Sequence, residues 1–180
     1  MDERKGDWMQ IFTGKKFWPL DPKSEEVDIK DIALSLAFQC RFNGHSNYFY
    51  SIAQHSVIVS KIVSKDQASA ALLHDAAETY IGDMVSPLKR FMLEFKEIEN
   101  KIEKIIFEKF GIKNVNQKEI KRADNIALVT EMRDLMKSPP ERWKVASFEP
   151  IHEKIISMGP EESEKIFLKR FEELFSNNNF

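Results

Sequence analysis

The sequence predicts an all-α, single-domain bundle of about six helices, and three observations carry that prediction. Apolar residues recur at helical spacing in successive windows, and Gly and Pro punctuate the ends of those windows. A chain of 180 residues, 42% of them apolar, is long enough for one sizeable core and too short to argue for two.

The elements follow in order. Residues 1–27 read as an irregular lead-in packed on the domain, because Gly14, Pro19 and Pro22 break any helix; residues 9–13 and 17–18 can form short extended pieces. Asp28 is then a cap for a helix in which Ile29, Ile32, Ala33, Leu36, Ala37 and Cys40 recur at helical spacing, ending near Gly44. Residues 50–64 repeat the signal through Ile52, Val59, Ile62 and Val63. Asp66 is expected to cap a helix over residues 67–80, stopped by Gly82. Pro87 suits the first turn of a long amphipathic helix with Leu88, Phe91, Met92, Phe95, Ile98, Ile102, Ile105, Ile106 and Phe110 on its apolar stripe, closed by Gly111. Residues 119–136 form a further helix before Pro139 and Pro140, and residues 160–175 a last one with Ile166, Phe167, Phe171 and Leu174 inward. The domain proper is read as 28–175, with a tail at 176–180 whose asparagines 177–179 should fray.

Charge narrows the function. Lys and Arg total 27 against 29 acidic residues, so a net charge of −2 gives no reason to expect a nucleic-acid polymer or an anionic membrane as partner, although a local basic pocket fits it. Cys40 is the single cysteine, which excludes an internal disulfide and paired thiolate ligands, and agrees with a reducing, cytoplasmic setting. The N-terminal residues lack the apolar run of a signal peptide, and no stretch reaches the roughly 18 apolar residues a spanning helix needs.

The informative residues are ionisable ones at positions where periodicity asks for apolar ones. His55 falls between Ile52 and Val59, His74 and Asp75 interrupt the run from Ala70 to Ala77, and Asp124 sits among Ile120, Ala123, Ala127 and Leu128. Taken singly, each reads as a hydrogen-bonded core residue or an ion-pair partner. Together they need mutual partners or a cation, because burying an unpaired carboxylate costs several kcal/mol. Two imidazoles and two carboxylates suit a borderline divalent ion such as Mn, Fe, Co, Ni or Zn better than calcium.

The order His55, then His74-Asp75, then Asp124 resembles the H…HD…D signature of the HD superfamily of metal-dependent phosphohydrolases. The segment ALLHDAAETYIGDMVSPLKR is similar to that of the small bacterial 5'-deoxynucleotidases and of phage relatives that include dATP triphosphohydrolases, and IAQHSVIV resembles their first-histidine helix; the likeness spans roughly residues 28–136. It implies a metal held by His55, His74, Asp75 and Asp124, which polarises the phosphoryl group and activates water. It makes Glu78, on the face of His74 and Asp75, a candidate to orient or deprotonate that water, and Asp83 a candidate acid or base for the leaving group. Arg41 matches an arginine used on the substrate phosphate, a role its planar fork suits. Lys89, near a helix N-terminus, is a second anion contact, and Lys121 could reach further phosphates. Phe42 stands where those deoxynucleotidases carry a tryptophan that shapes the nucleoside pocket, and Trp18 is a candidate to pack on the base. The His55 to His74 linker is shorter than theirs, so base preference is not carried over.

The expected activity is hydrolysis of a deoxynucleotide: a 5'-monophosphate to deoxynucleoside and phosphate, or a dNTP such as dATP to deoxynucleoside and triphosphate. A triphosphate substrate would bring a magnesium ion of its own. Hydrolysis of an alarmone or a cyclic nucleotide is the alternative, and a non-catalytic nucleotide-binding module is the last. The resemblance implies a homodimer or higher homo-oligomer.

Overall fold

A computed structural model describes residues 4–176; the tail asparagines 177–179 and residues 1–3 lie outside the described residues. The fold is all-α apart from one small hairpin. Its strands β1 (Met9–Gln10) and β2 (Lys16–Phe17) are antiparallel, with Met9 opposite Phe17. Strand β1 falls within the first of the two short extended pieces expected from the sequence, and β2 overlaps the second at Phe17 but starts one residue earlier. The hairpin is tied down by the backbone and hydroxyl of Thr13, which donate to buried Asp31 at 2.8 and 3.0 Å, and by Phe17, which stacks on Tyr80 at 3.6 Å.

Among the described residues eight α-helices follow, two more than expected, because two predicted helices are each broken in two. Helix α1 (Ile29–Phe38) starts as predicted, with the Asp28 carboxylate accepting from the Lys30 N–H. It ends at Phe38 rather than near Gly44, since Gln39 is already extended and Cys40 pairs with Ser51 in an isolated bridge. A 3₁₀ turn over Arg41–Gly44 then carries three consecutive positive φ values, 56° at Phe42, 50° at Asn43 and 78° at Gly44, which no right-handed helix accommodates.

Helix α2 (Ile52–Ile62) is capped by the Ser51 hydroxyl and buries nearly its whole first two turns. The helix expected over residues 67–80 is instead α3 (Ala68–Leu72) and α4 (Glu78–Ile81), joined by turns. Asp66 does not cap it; the N-cap position is Gln67, whose side chain is engaged with the backbone of Asn114 and Asn116. The break has a backbone cause: the bonds of Ala76, Glu78, Thr79 and Tyr80 run to the residue three back, tightening the chain into 3₁₀-type turns around His74 and Asp75.

The long stripe predicted from Leu88 to Phe110 is likewise divided, into α5 (Ser86–Lys89) and α6 (Leu93–Lys109), with Met92 non-helical between them. Leu88, Phe91 and Met92 are therefore exposed, whereas Ile102, Ile106 and Phe110 are buried as expected. At the far end Gly111, at φ 65°, closes α6: its N–H bonds Glu108 and the next N–H, from Ile112, bonds Phe107, the paired bonds of a Schellman cap. Helix α7 (Gln117–Leu135) is capped by Asn116, and α8 (Pro160–Phe175) has the bounds read from the sequence.

The main core joins α1, α2, the segment from Leu72 to Tyr80, α6 and α8, with Leu36, Ile52, Leu73, Ile106 and Phe167 fully buried. A second cluster packs α7 onto α2 and α3 through Ala123, Ala127, Val59 and Ala71. These small residues bring α7 close enough to α2 for side chains of the two helices to meet beside the His-Asp turn.

Candidate metal centre and active site

Four elements converge on one centre. Helix α2 supplies His55, the tightened turn after α3 supplies His74 and Asp75, α7 supplies Asp124, and the turn before α2 supplies Arg41. His55 Nε2 lies 3.3 Å from Asp124 Oδ1 and 3.6 Å from Asp75 Oδ2, and His74 Nε2 lies 3.2 Å from Asp75 Oδ2. Donor atoms of His55, His74 and Asp124 all fall within 4.8 Å of one another, close enough to share an ion. Asp75 sits against both imidazoles and also 3.7 Å from Arg41.

The ring nitrogens decide what this cluster can hold. His55 Nδ1 is 2.6 Å from a Glu131 oxygen, and His74 Nδ1 is 2.9 Å from the Ala71 carbonyl. A carbonyl can only accept, so His74 carries its proton on Nδ1; the Glu131 carboxylate sets the same choice at His55. Both Nε2 atoms are buried, have no hydrogen-bond partner and face the carboxylates. Imidazoles pinned through Nδ1 with free Nε2 lone pairs are the arrangement a metal ligand needs, and the residues fit a divalent ion.

Electrostatics divides the acidic groups. Burial pushes Asp124 upward, but His55 first, then His74 and Lys121, hold it well below the usual carboxylate range. Burial, reinforced by Asp75 and Asp83, drives Glu78 well above its ordinary value against the opposing pull of Lys89 and Arg41. Asp83 is also raised, chiefly by burial, with Arg41 opposing. Burial lowers His74. His55 goes the other way: despite burial and the nearby Arg41, Glu131 and Asp124 raise it to about 9.

Glu78 is buried, one of its oxygens has no partner, and the other is 3.5 Å from Lys89 Nζ. Asp83 follows Gly82 and donates its backbone N–H to Gln39 Oε1 at 3.3 Å, while the Gln39 amide donates to the Glu78 carbonyl. Gln39, not singled out from the sequence, thus pins the loop that carries both candidate acids. The structure also engages the two expected phosphate lysines with carboxylates. Lys89 lies between Glu78 and Glu99, and Lys121 donates to Asp124 at 2.7 Å. Phe42 lies 5.2 Å beneath the Arg41 guanidinium. Trp18, a candidate for the base, is covered by Arg4 at 4.1 Å, with Lys16 further off, both cations belonging to the lead-in rather than to the His-Asp centre.

Two further residues of the centre, Glu131 and Tyr50, are not singled out by the sequence motif. Glu131 is fully buried against His55, accepts the Tyr50 hydroxyl at 2.9 Å and faces Arg41 at 3.3 Å. The signal was present: Glu131 lies seven residues beyond Asp124 and four beyond Ala127, on the inward face of the same helix.

An all-helical fold that gathers His55, His74-Asp75 and Asp124 from three separate elements defines an HD-type protein. Residues 41–121 match the family described as 5'-deoxynucleotidase YfbR-like. The chain is 39% identical over 169 residues to the uncharacterized protein YfdR of Escherichia coli (strain K12), covering 93% of this chain and 95% of that one. It is 34% identical over 129 residues, 66% of each chain, to the uncharacterized protein RCAP_rcc00048 of Rhodobacter capsulatus. The chain belongs to the YfbR-like family of HD phosphohydrolases, a metal-dependent family. The likeness to phage triphosphohydrolases rests on the sequence motifs alone. Among the described residues, no helix is long and apolar enough to cross a membrane.

Proposed function

We propose that this protein is a metal-dependent 5'-deoxynucleotidase, hydrolysing a deoxynucleoside 5'-monophosphate to deoxynucleoside and phosphate. The observation that carries the reading is the pair of buried, unpartnered Nε2 atoms of His55 and His74, turned on Asp75 and Asp124 beside a carboxyl, Glu78, whose pKa is raised. A divalent ion held by His55, His74, Asp75 and Asp124 would polarise the phosphoryl group and make water acidic enough to attack near neutral pH.

The remaining steps belong to the chain's own groups. Arg41 presents its guanidinium at the edge of the centre to bind and orient the phosphate. The water oxygen bonds to phosphorus as the bond to the 5'-oxygen breaks. Glu78 in its ionised form takes the water's proton, and Asp83, whose pKa burial raises, gives one from its protonated form to the departing 5'-oxygen. Lys89 faces Glu78 and restrains how far its pKa rises.

The monophosphate is favoured because the matched family is described as 5'-deoxynucleotidase, an activity that removes a single phosphate. Product chromatography tests the assignment, using a panel of deoxynucleoside mono- and triphosphates with Mn or Co and with a chelator. Metal-dependent release of deoxynucleoside and orthophosphate from a monophosphate is expected. Triphosphate released from a dNTP would replace the substrate assignment, and no turnover on either class would move the reading to alarmones or cyclic nucleotides.

A further inference from the structure

Helix α7 grips the His55 imidazole from both sides. Asp124 lies 3.3 Å from Nε2, and two turns further along the same helix Glu131 lies 2.6 Å from Nδ1. The two Glu131 oxygens serve different partners: Oε1 receives His55 and the Tyr50 hydroxyl, while Oε2 receives an Arg41 terminal nitrogen at 3.3 Å. The other terminal nitrogen of Arg41 is 3.7 Å from Asp75. One fully buried carboxylate therefore contacts both a metal-ligand histidine and the candidate phosphate arginine.

We infer that Glu131 is a positioning residue that couples metal binding to phosphate binding, fixing His55 with Nε2 free and holding Arg41 across the same centre. The inference rests on the reading of the site as a metal-dependent phosphohydrolase. Its chemical basis is that no neutral side chain can do both tasks. In Glu131→Gln the amide offers one oxygen and one NH₂. With the oxygen toward His55 and Tyr50, the NH₂ meets the Arg41 donors and releases that side chain. With the oxygen toward Arg41, the NH₂ faces His55 Nδ1, which must then accept, moving the imidazole proton to Nε2 and blocking the ligand position. Tyr50 supports the carboxylate through a single bond, so its removal has a smaller effect of the same sign.

The test measures Mn(II) affinity of the metal-free protein by calorimetry, together with KM and kcat for a deoxynucleoside monophosphate at saturating Mn(II). Glu131→Gln should weaken Mn(II) binding by about 10- to 100-fold, the usual effect of losing a partner behind a ligating histidine, and also raise KM. Tyr50→Phe should weaken Mn(II) binding by a few fold while melting cooperatively. Wild-type Mn(II) affinity in Glu131→Gln, or weakened metal binding with an unchanged KM, overturns the coupling. If Glu131→Gln does not fold, unaltered Mn(II) affinity in Tyr50→Phe overturns it instead. Failure of the wild-type protein itself to bind Mn(II) sinks the metal reading as a whole, a result distinct from normal wild-type binding with an indifferent Glu131→Gln.

Discussion

His55 and Glu78 show how burial alone does not decide ionisation. Both are buried, yet His55 is drawn toward its charged form by Glu131 and Asp124, and Glu78 toward its neutral form by desolvation and by Asp75 and Asp83. His55→Ala and Asp124→Ala are each expected to abolish metal binding and turnover in calorimetry and product assays. Glu78→Gln should keep metal affinity and lower kcat by about 10²- to 10⁴-fold, the range for losing a general base. Metal affinity lost equally in all three would remove Glu78 from its assigned role. A pH prediction follows from His55. In the metal-free protein its pKa is raised from the ordinary histidine value of 6.5 to about 9, so its stabilising contribution is complete below pH 6.5 and disappears as pH rises through 9. A divalent ion competes with that proton for Nε2, so metal affinity should climb between pH 7 and 9 with release of about one proton. Melting temperature should therefore fall with pH in the metal-free protein, and its gain on adding Mn(II) should grow; parallel pH profiles would contradict the competition. The four candidate ligand positions are legible because charge interrupts an apolar stripe. Glu131 obeys the same rule but lies outside the motif. The left-handed backbone at Phe42 gives no sign in a bulky aromatic residue.

The elements that differ most from the sequence reading are the ones that build the site. Periodicity over residues 67–80 is helical throughout, yet the chain tightens around His74 and Asp75, because the geometry there answers to contacts with α2 and α7 that lie far away in sequence. The same holds at Met92, where the break sets α5 apart from α6 and leaves Lys89 between Glu78 and Glu99. Helix α8, which carries no site residue, has the bounds read from the sequence, and α7, which carries Asp124 and Glu131 on an otherwise regular helix, lies within two residues of them. Gly82 gives this scale its prediction. It ends α4 at φ 77° and ψ 159°, a region open essentially to glycine alone, with its N–H on the Glu78 carbonyl at 2.8 Å. A Cβ there meets nothing within 4 Å, so the cost of Gly82→Ala is backbone strain of about 1–3 kcal/mol. Chemical denaturation measures it; a stability equal to wild type would mean that the turn relaxes, in which case Asp83 moves and kcat falls instead.

Over the whole molecule, the site depends on packing that the family match does not include. The match ends at residue 121, before Asp124, Glu131 and α8. Yet α8 packs on α1, α2 and α3, and Phe167 from α8 is fully buried in the cluster that contains Leu36, Ala53 and Val57. Helix α8 thus packs on α2, the helix that carries His55 and also contacts α7. Phe167→Ala should cost about 3–5 kcal/mol, the range for truncating a buried phenylalanine, and lower the melting temperature accordingly. Phe91 is the informative contrast, since the sequence placed it on the inward stripe and the structure leaves it 76% exposed beside Leu93, also exposed. Phe91→Ala should change stability by no more than about 0.5 kcal/mol, as expected for a surface position. Comparing the two variants by denaturant titration at several protein concentrations separates two physical situations. A small, concentration-independent change at Phe91 fits a solvent-facing break between α5 and α6. A loss matching that of Phe167 and growing with protein concentration would mean that this apolar surface is covered in solution by a second copy of the chain.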